Sequence, residues 1–369
     1  MRVGYDAVSP VSPRIELSRN GAVLALAVYV AAAFGCVSLA LTNDPNPAFV
    51  SPPRATTDLD VFRRIINRVQ AGEAFHNATQ DELRVHDYPT RSVFNWRTPV
   101  YAWWLSSDIG RRAGPALLTT LVILTVIAFS RGFLESNGLL PAALGTIFYV
   151  GATAWCFGGE TYLFTEVWAG ILIASSVCFY HRDLRTLGVL SGLAALFYRE
   201  LALPYCLVCL GLAIHSRRRR EILWWLLGLA SFALFMAWHH QQVQSRLTSA
   251  DLALTGGWIR FGGTRFVLST AQTNIFLMPL PLWCTAIYLP TCLLGLFGNQ
   301  SESGKRIGLT IGMYLAAFAI VGNPFNFYWG FLDAPLLATG ISSAPAVLFS
   351  LLSKAVGAPT RDTSRLVDA

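Results

Sequence analysis

Two carboxylates two residues apart, Asp58 and Asp60, stand in the one long polar stretch of an otherwise apolar chain, about Asn43 to Arg112. At a membrane surface such a carboxylate can take a proton from an incoming hydroxyl or help hold a divalent cation. The competing reading is structural: Thr57 or Asp58 caps the helix that follows, and Asp60 pairs with Arg63 or Arg64 one turn on. Arg199 and Glu200 come next, because ionisable groups deep in apolar sequence are costly and face a cavity or each other. A guanidinium there can clamp a phosphate or pyrophosphate, or it can pair with Glu200, Glu160, Glu166 or Asp333. Glu160 and Glu166 occupy the turn Gly158 to Glu166, where they either line the same cavity or simply end helices. Asp333 reads as a buried, paired acid about two turns into the last apolar segment. Trp238-His239-His240 closes the seventh segment. Histidines can bind metal or move protons, but no second cluster has ligand spacing, so the expectation is a helix-end pair. The aromatics of Asn323 to Gly330, Tyr328 among them, suit an interfacial belt or a lipid-binding rim.

The elements that must position these residues are helices in a membrane. Hydrophobic residues make up 54% of the chain and charged residues 13%, about half the charge of a soluble domain. Ten hydrophobic segments follow one another, at about 21–42, 113–130, 138–157, 161–180, 186–198, 200–215, 222–239, 274–297, 307–322 and 327–352. The expected fold is therefore an all-α polytopic membrane protein: one integral domain over 1–352, with outer loops at 43–112 and 240–273 and a disordered cytoplasmic tail at 353–369. Basic residues cluster between spans, from Arg182 and Arg185 to Arg217 through Arg220, and alternate correctly if both termini are cytoplasmic. The net charge of +7 thus reflects topology rather than nucleic-acid binding. Residues 1–20 lack the pattern of a cleaved signal, so the first span reads as an anchor.

Residues 186–215 carry basic flanks at both ends and so must go in and come back. The expected turning point is Tyr198-Arg199-Glu200, in protein or at a water-filled cavity. Residues 59–70 predict an amphipathic helix lying on the membrane with Val61, Phe62, Ile65, Ile66 and Val69 on one face. Thr79 to Val85 predicts a second surface helix. The seven cysteines all fall in apolar segments as packing residues. Phosphate-loop, dinucleotide and HExxH motifs are absent, which argues against a nucleotide-fuelled pump and a zincin protease.

Several stretches together resemble the GT-C class of polytopic glycosyltransferases, and within it a bacterial group associated with cell-surface glycopolymer formation. They are Thr57 to Phe62, Ala71-Gly72-Glu73, Tyr88 to Arg91, Phe94 to Pro99, Tyr198 to Tyr205 and Asn326 to Gly330. The resemblance implies a sugar donor on a polyprenyl phosphate or pyrophosphate, a glycan or glycolipid acceptor, and a bacterial inner-membrane location with the long loop periplasmic. It implies that Asp58 or Asp60 is the loop acid, that Arg199 or Arg97 meets the donor phosphate, and that Glu200, Glu160, Glu166 and Tyr328 line the substrate cavity. A divalent cation is compatible with that class and not required by it. The rival expectation is a transporter or flippase for lipid-linked glycans, which needs the cavity and the arginine but no base.

Overall fold

The computed structural model describes residues 17–42, 57–249, 251–253, 257 and 260–357. Most of the polar N-terminus and of the expected cytoplasmic tail lie outside the described residues, and residues 353–355, expected in that disordered tail, are helical. Every described element is helical. Helix α1 (Arg19–Thr42) leads to four helices of the long loop: α2 (Asp58–Gln70), α3 (Phe75–Val85), α4 (Val93–Trp96) and α5 (Val100–Ser106). The bundle continues with α6 (Asp108–Asn137), α7 (Leu139–Thr153), α8 (Thr165–His181), α9 (Arg185–Tyr198), α10 (Leu203–His215) and α11 (Arg219–Gln244). It closes with α12 (Gly263–Ala271), α13 (Leu282–Gly298), α14 (Glu302–Ile320) and α15 (Ala334–Ala355).

Each apolar segment contains one of these helices, and five are long and apolar enough to cross a membrane: α1, α6, α7 with its 3-10 extension to Phe157, α11 and α15. The outward residues of α1, such as Leu24, Val28 and Phe34, are exposed, as a lipid-facing helix requires. Close backbone approach holds α13 to α15. A Cβ on Gly295 would sit 1.9 Å from the Gly340 carbonyl oxygen, so both positions must stay without side chains.

Three expectations change. The amphipathic face of α2 does not lie on lipid: Val61, Phe62, Ile65 and Ile66 are buried against Tyr101, Leu118, Val122 and Trp168 of the protein itself. The seventh apolar segment runs on to Gln244, so His239 is inside a helix and buried, not at its end. Asp333 is not two turns into a helix. A 3-10 helix spans Pro324–Leu332, and α15 begins after Asp333 because Pro335 fits only its first turn.

The turn expected at residues 198–200 is present. Arg199 is extended (φ −148°, ψ 116°), which ends α9, and the Cys206 thiol reaches the Gly192 carbonyl at 3.5 Å. Residues symmetric about Arg199 therefore touch, and α9 and α10 form a hairpin. Short turns at 182–184 and 216–218 level the other ends of α8 through α11. At 1.5 Å per residue, the 13-residue α10 stops ~20 Å short of the end of the 26-residue α11. The loop side of the bundle thus has a recess, floored by the apex of the hairpin.

Candidate active site at the hairpin apex

The long loop fills this recess. The Trp96 side chain is fully buried and donates from Nε1 to the Thr90 carbonyl at 2.8 Å. The Thr98 hydroxyl caps the open end of α9, reaching the carbonyls of Phe197 at 2.8 Å and Tyr198 at 3.0 Å. Between them, Arg97 is held at φ 59°, ψ 167°, a conformation almost reserved for glycine that costs about 1–3 kcal/mol. The surrounding contacts impose that strain in order to aim one guanidinium into the recess.

The Arg97 guanidinium pairs with Glu166 in the first turn of α8, reaches the Thr165 hydroxyl at 3.1 Å, and lies 3.5 Å from the Tyr328 hydroxyl. The Phe62 ring stacks 5.0 Å from it. Arg199 meets the same carboxylate: its Nε is 3.0 Å from Glu166 Oε1, and its Nη1 donates to Glu200 Oε1 at 2.6 Å. The Nε approach makes an ion pair, but the N–H points off the oxygen, so Nε makes no hydrogen bond among the described residues. Arg97, Glu166 and Arg199 are 6%, 0% and 4% exposed. Two cations and two carboxylates thus balance in a buried cluster drawn from three separate stretches of sequence. Burial at this depth is tolerable only because the charges are matched.

Beside the cluster, Asp58 opens α2 and accepts a hydrogen bond from the Tyr88 hydroxyl. One turn along α2, Phe62 stacks on Arg97, so the start of this helix lies at the edge of the cluster. Asp60 has a different job. Its Oδ2 accepts from the Thr57 amide at 3.0 Å and hydroxyl at 2.7 Å, closing a capping box, and its Oδ1 pairs with Arg63 at 2.9 Å. These bonds, led by the Thr57 hydroxyl, hold the Asp60 carboxyl below its usual range. The two acids therefore face different partners and are not set as joint ligands of one cation. Glu160 is tied to Arg63 at 2.8 Å on the rim, away from the buried cluster.

Of the residues singled out from sequence, Arg97, Glu166, Arg199, Glu200 and Tyr328 come together, with Asp58 at their edge. Asp333 is buried elsewhere, and its Oδ1 has no partner among the described residues, contrary to the paired acid expected. Sequence reasoning missed four supports. Tyr88, on Asp58, and Thr98, under Arg97, sit in stretches that carry the family likeness. Asp251 pins the second outer loop to the first, accepting from Arg84 at 2.6 Å and Thr90 at 2.6 Å, with Arg84 chiefly holding its carboxyl far below the usual range. His76 of α3 lies 2.9 Å from His239 of α11, both fully or nearly buried. Next to the first two turns of α8, a small apolar indentation of about 10 Å³ is lined by Trp155, Val167, Ile171 and Phe331.

No family model matches the chain, no curated protein is similar to it, and no solved structure matches it.

Proposed function

We propose that this protein is a membrane glycosyltransferase of the GT-C type that moves a sugar from a polyprenyl-phosphate donor to a cell-envelope acceptor on the periplasmic side. The observation that supports it is the convergence of Arg97 and Arg199 on a single carboxylate in a recess beside Asp58. Two guanidiniums that share one carboxylate are spaced to share one phosphate oxyanion instead.

In this mechanism Arg97 and Arg199 hold the donor phosphate. Asp58 takes the proton of the acceptor hydroxyl as its oxygen attacks the anomeric carbon from the opposite face. The bond from that carbon to the phosphate oxygen breaks, the lipid phosphate leaves with its new charge met by the arginines, and configuration inverts. Tyr88 keeps Asp58 in place. Asp60 serves the helix cap.

The test is transfer of label from a panel of radiolabelled polyprenyl-phosphate sugars to envelope acceptors by purified protein in lipid. Asp58→Ala is expected to lower transfer by about 10²–10⁴-fold with the protein still folded. Asp60→Ala is expected to keep most transfer and to lower the melting temperature slightly through loss of the helix cap. Wild-type transfer in both variants would end this mechanism, and flipping of donor lipid that survives both substitutions would favour a carrier.

A further inference from the structure

Resting on the glycosyl-transfer reading, we infer that His76 and His239 are positioning residues for Arg97. Their buried hydrogen bond fixes the main chain that leads into Arg97, and so sets how well its guanidinium meets the donor phosphate.

The pair joins the long loop to the bundle. His76 lies in the first turn of α3 and His239 near the outer end of α11, and Nε2 of the first is 2.9 Å from Nδ1 of the second. Two ring nitrogens at that distance share one proton, so one ring donates and the other accepts. Burial foremost, then the charge of His239 and of Arg246, lowers the His76 pKa to about 4, so this ring is neutral at pH 7 and the bond stands. Aromatic rings surround it. Phe75 and Trp238 lie 5.2 and 5.3 Å from the His76 ring, and Phe235 stacks on His239 at 6.5 Å. Apolar side chains would fill such a space without burying polar nitrogens. A hydrogen bond adds direction, and with it a fixed placement of α3 on α11.

What rests on that placement is the segment carrying Arg97. The Trp96 ring is 6.4 Å from the His76 ring, and Trp96 directly precedes Arg97. Helix α4, which ends at Trp96, packs on α11. The Arg97 main chain itself lies beside the His239 ring, short of hydrogen-bond geometry. On the far side of Arg97, the Thr98 hydroxyl ties the chain to the end of α9. Arg97 is thus held between α11 before it and α9 after it. Its φ of 59° would relax if either hold opened, because a strained residue persists only where its surroundings over-determine it. Arg199 has no such dependence. Its main chain belongs to the end of α9, where its amide donates to the Ala195 carbonyl at 2.8 Å. The histidine pair therefore acts on one of the two arginines and not on the other.

The experiment measures the affinity of the full-length protein in nanodiscs for undecaprenyl phosphate at pH 7. His76→Phe keeps a ring and removes the bond, and is expected to weaken binding about tenfold. His76→Gln, whose amide can stand where Nε2 stood, should stay within about threefold of wild type. His239→Phe repeats the loss from the other ring. The deciding readout is a double-mutant cycle. Arg97→Lys and Arg199→Lys each keep a cation in the recess, but on a flexible stem that no longer needs the aim of a planar fork. Adding His76→Phe to Arg97→Lys is expected to cost less than about threefold, and adding it to Arg199→Lys the full tenfold or so. General loosening of the loop would weaken both backgrounds alike, and that result overturns the inference. So does wild-type affinity in both His76→Phe and His239→Phe, or a His76→Gln as weak as His76→Phe. Failure of wild type to bind the lipid would remove the functional reading itself, a result distinct from a lost coupling to Arg97.

Discussion

The bundle buries arginine at both ends and does so in opposite ways. On the loop side, Arg97 and Arg199 come from different elements and share Glu166, with a second carboxylate on Arg199. On the opposite side, Arg306 near the start of α14 is 2% exposed, yet its guanidinium meets a ring and a thiol. Its guanidinium lies 3.6 Å from the Tyr180 ring centroid and donates to the Cys209 sulfur at 2.9 Å. Glu221 is buried nearby, but its charged contact is Arg218 at 3.8 Å. A ring and a thiol make a fixed seat for one cation. A carboxylate shared by two cations is an anion site that an outside anion can contest. Under the proposed function, the comparison separates a charge kept for structure from a pair kept for exchange.

The largest expected effect lies on the shared carboxylate. Glu166→Leu removes the group that neutralises Arg97 and Arg199 and leaves two like charges together in a buried site. A loss of about 3–5 kcal/mol of stability is expected, read as a lowered melting temperature in detergent. If the site exchanges anions, added polyprenyl phosphate should restore much of that loss, because a ligand that binds only the folded state stabilises it. A variant as stable as wild type, or one indifferent to the lipid, would mean that Glu166 does not hold an anion position.

Acid should distinguish the two ends next. Burial foremost, then the charge of His239 and of Arg246, lowers the pKa of His76 from 6.5 to about 4. The folded protein therefore refuses a proton that the unfolded chain accepts. Stability from this residue is complete above pH 6.5, falls as pH drops, and is fully lost below about pH 4. The loss is on the order of 3 kcal/mol. Because His76 ties α3 to α11 at His239, the opening should be local. Hydrogen-exchange protection, taken relative to the intrinsic rate at each pH, should fall in residues 57–107 between pH 6.5 and pH 4, while that of the turns at 182–184 and 216–218 stays as before. His76→Phe should flatten the dependence. An equal fall at both ends would show that acid acts on the whole bundle.

What sequence could disclose follows the same division. The hairpin at Arg199 was legible because length and charge conflict there: basic flanks on both sides of 30 apolar residues admit few other paths. A cap at Thr57 and an Asp60 pair with Arg63 were within one of two open readings, because both are local signals, but the return bond of Asp60 to the Thr57 amide was not read. Arg97 was a weak candidate from sequence and is central in the fold, because its partners Glu166 and Tyr328 are distant in the chain. The same holds for His76 with His239, and for Asp58 with Tyr88. The face of α2 was read correctly as apolar but assigned to lipid, because hydrophobic periodicity does not say which apolar surface covers it. Asp333 was misplaced because Pro335 was not weighed as a helix start.

The smallest effect belongs to Arg306. Arg306→Met keeps most of the apolar stem and removes a charge that has no acid partner at hydrogen-bond range. The lost attraction to the Tyr180 ring costs about 2 kcal/mol, and release from burying a charge offsets part of it. The expected net change is about 1 kcal/mol, with glycosyl transfer retained. Arg199→Met, by contrast, leaves Glu200 unpaired and Glu166 with one cation, so it should cost more stability and abolish transfer. The pair of variants tests whether position or mere burial makes an arginine functional here. A large loss of transfer in Arg306→Met, at a melting temperature near wild type, would move that residue into the working site and end the distinction between the two ends.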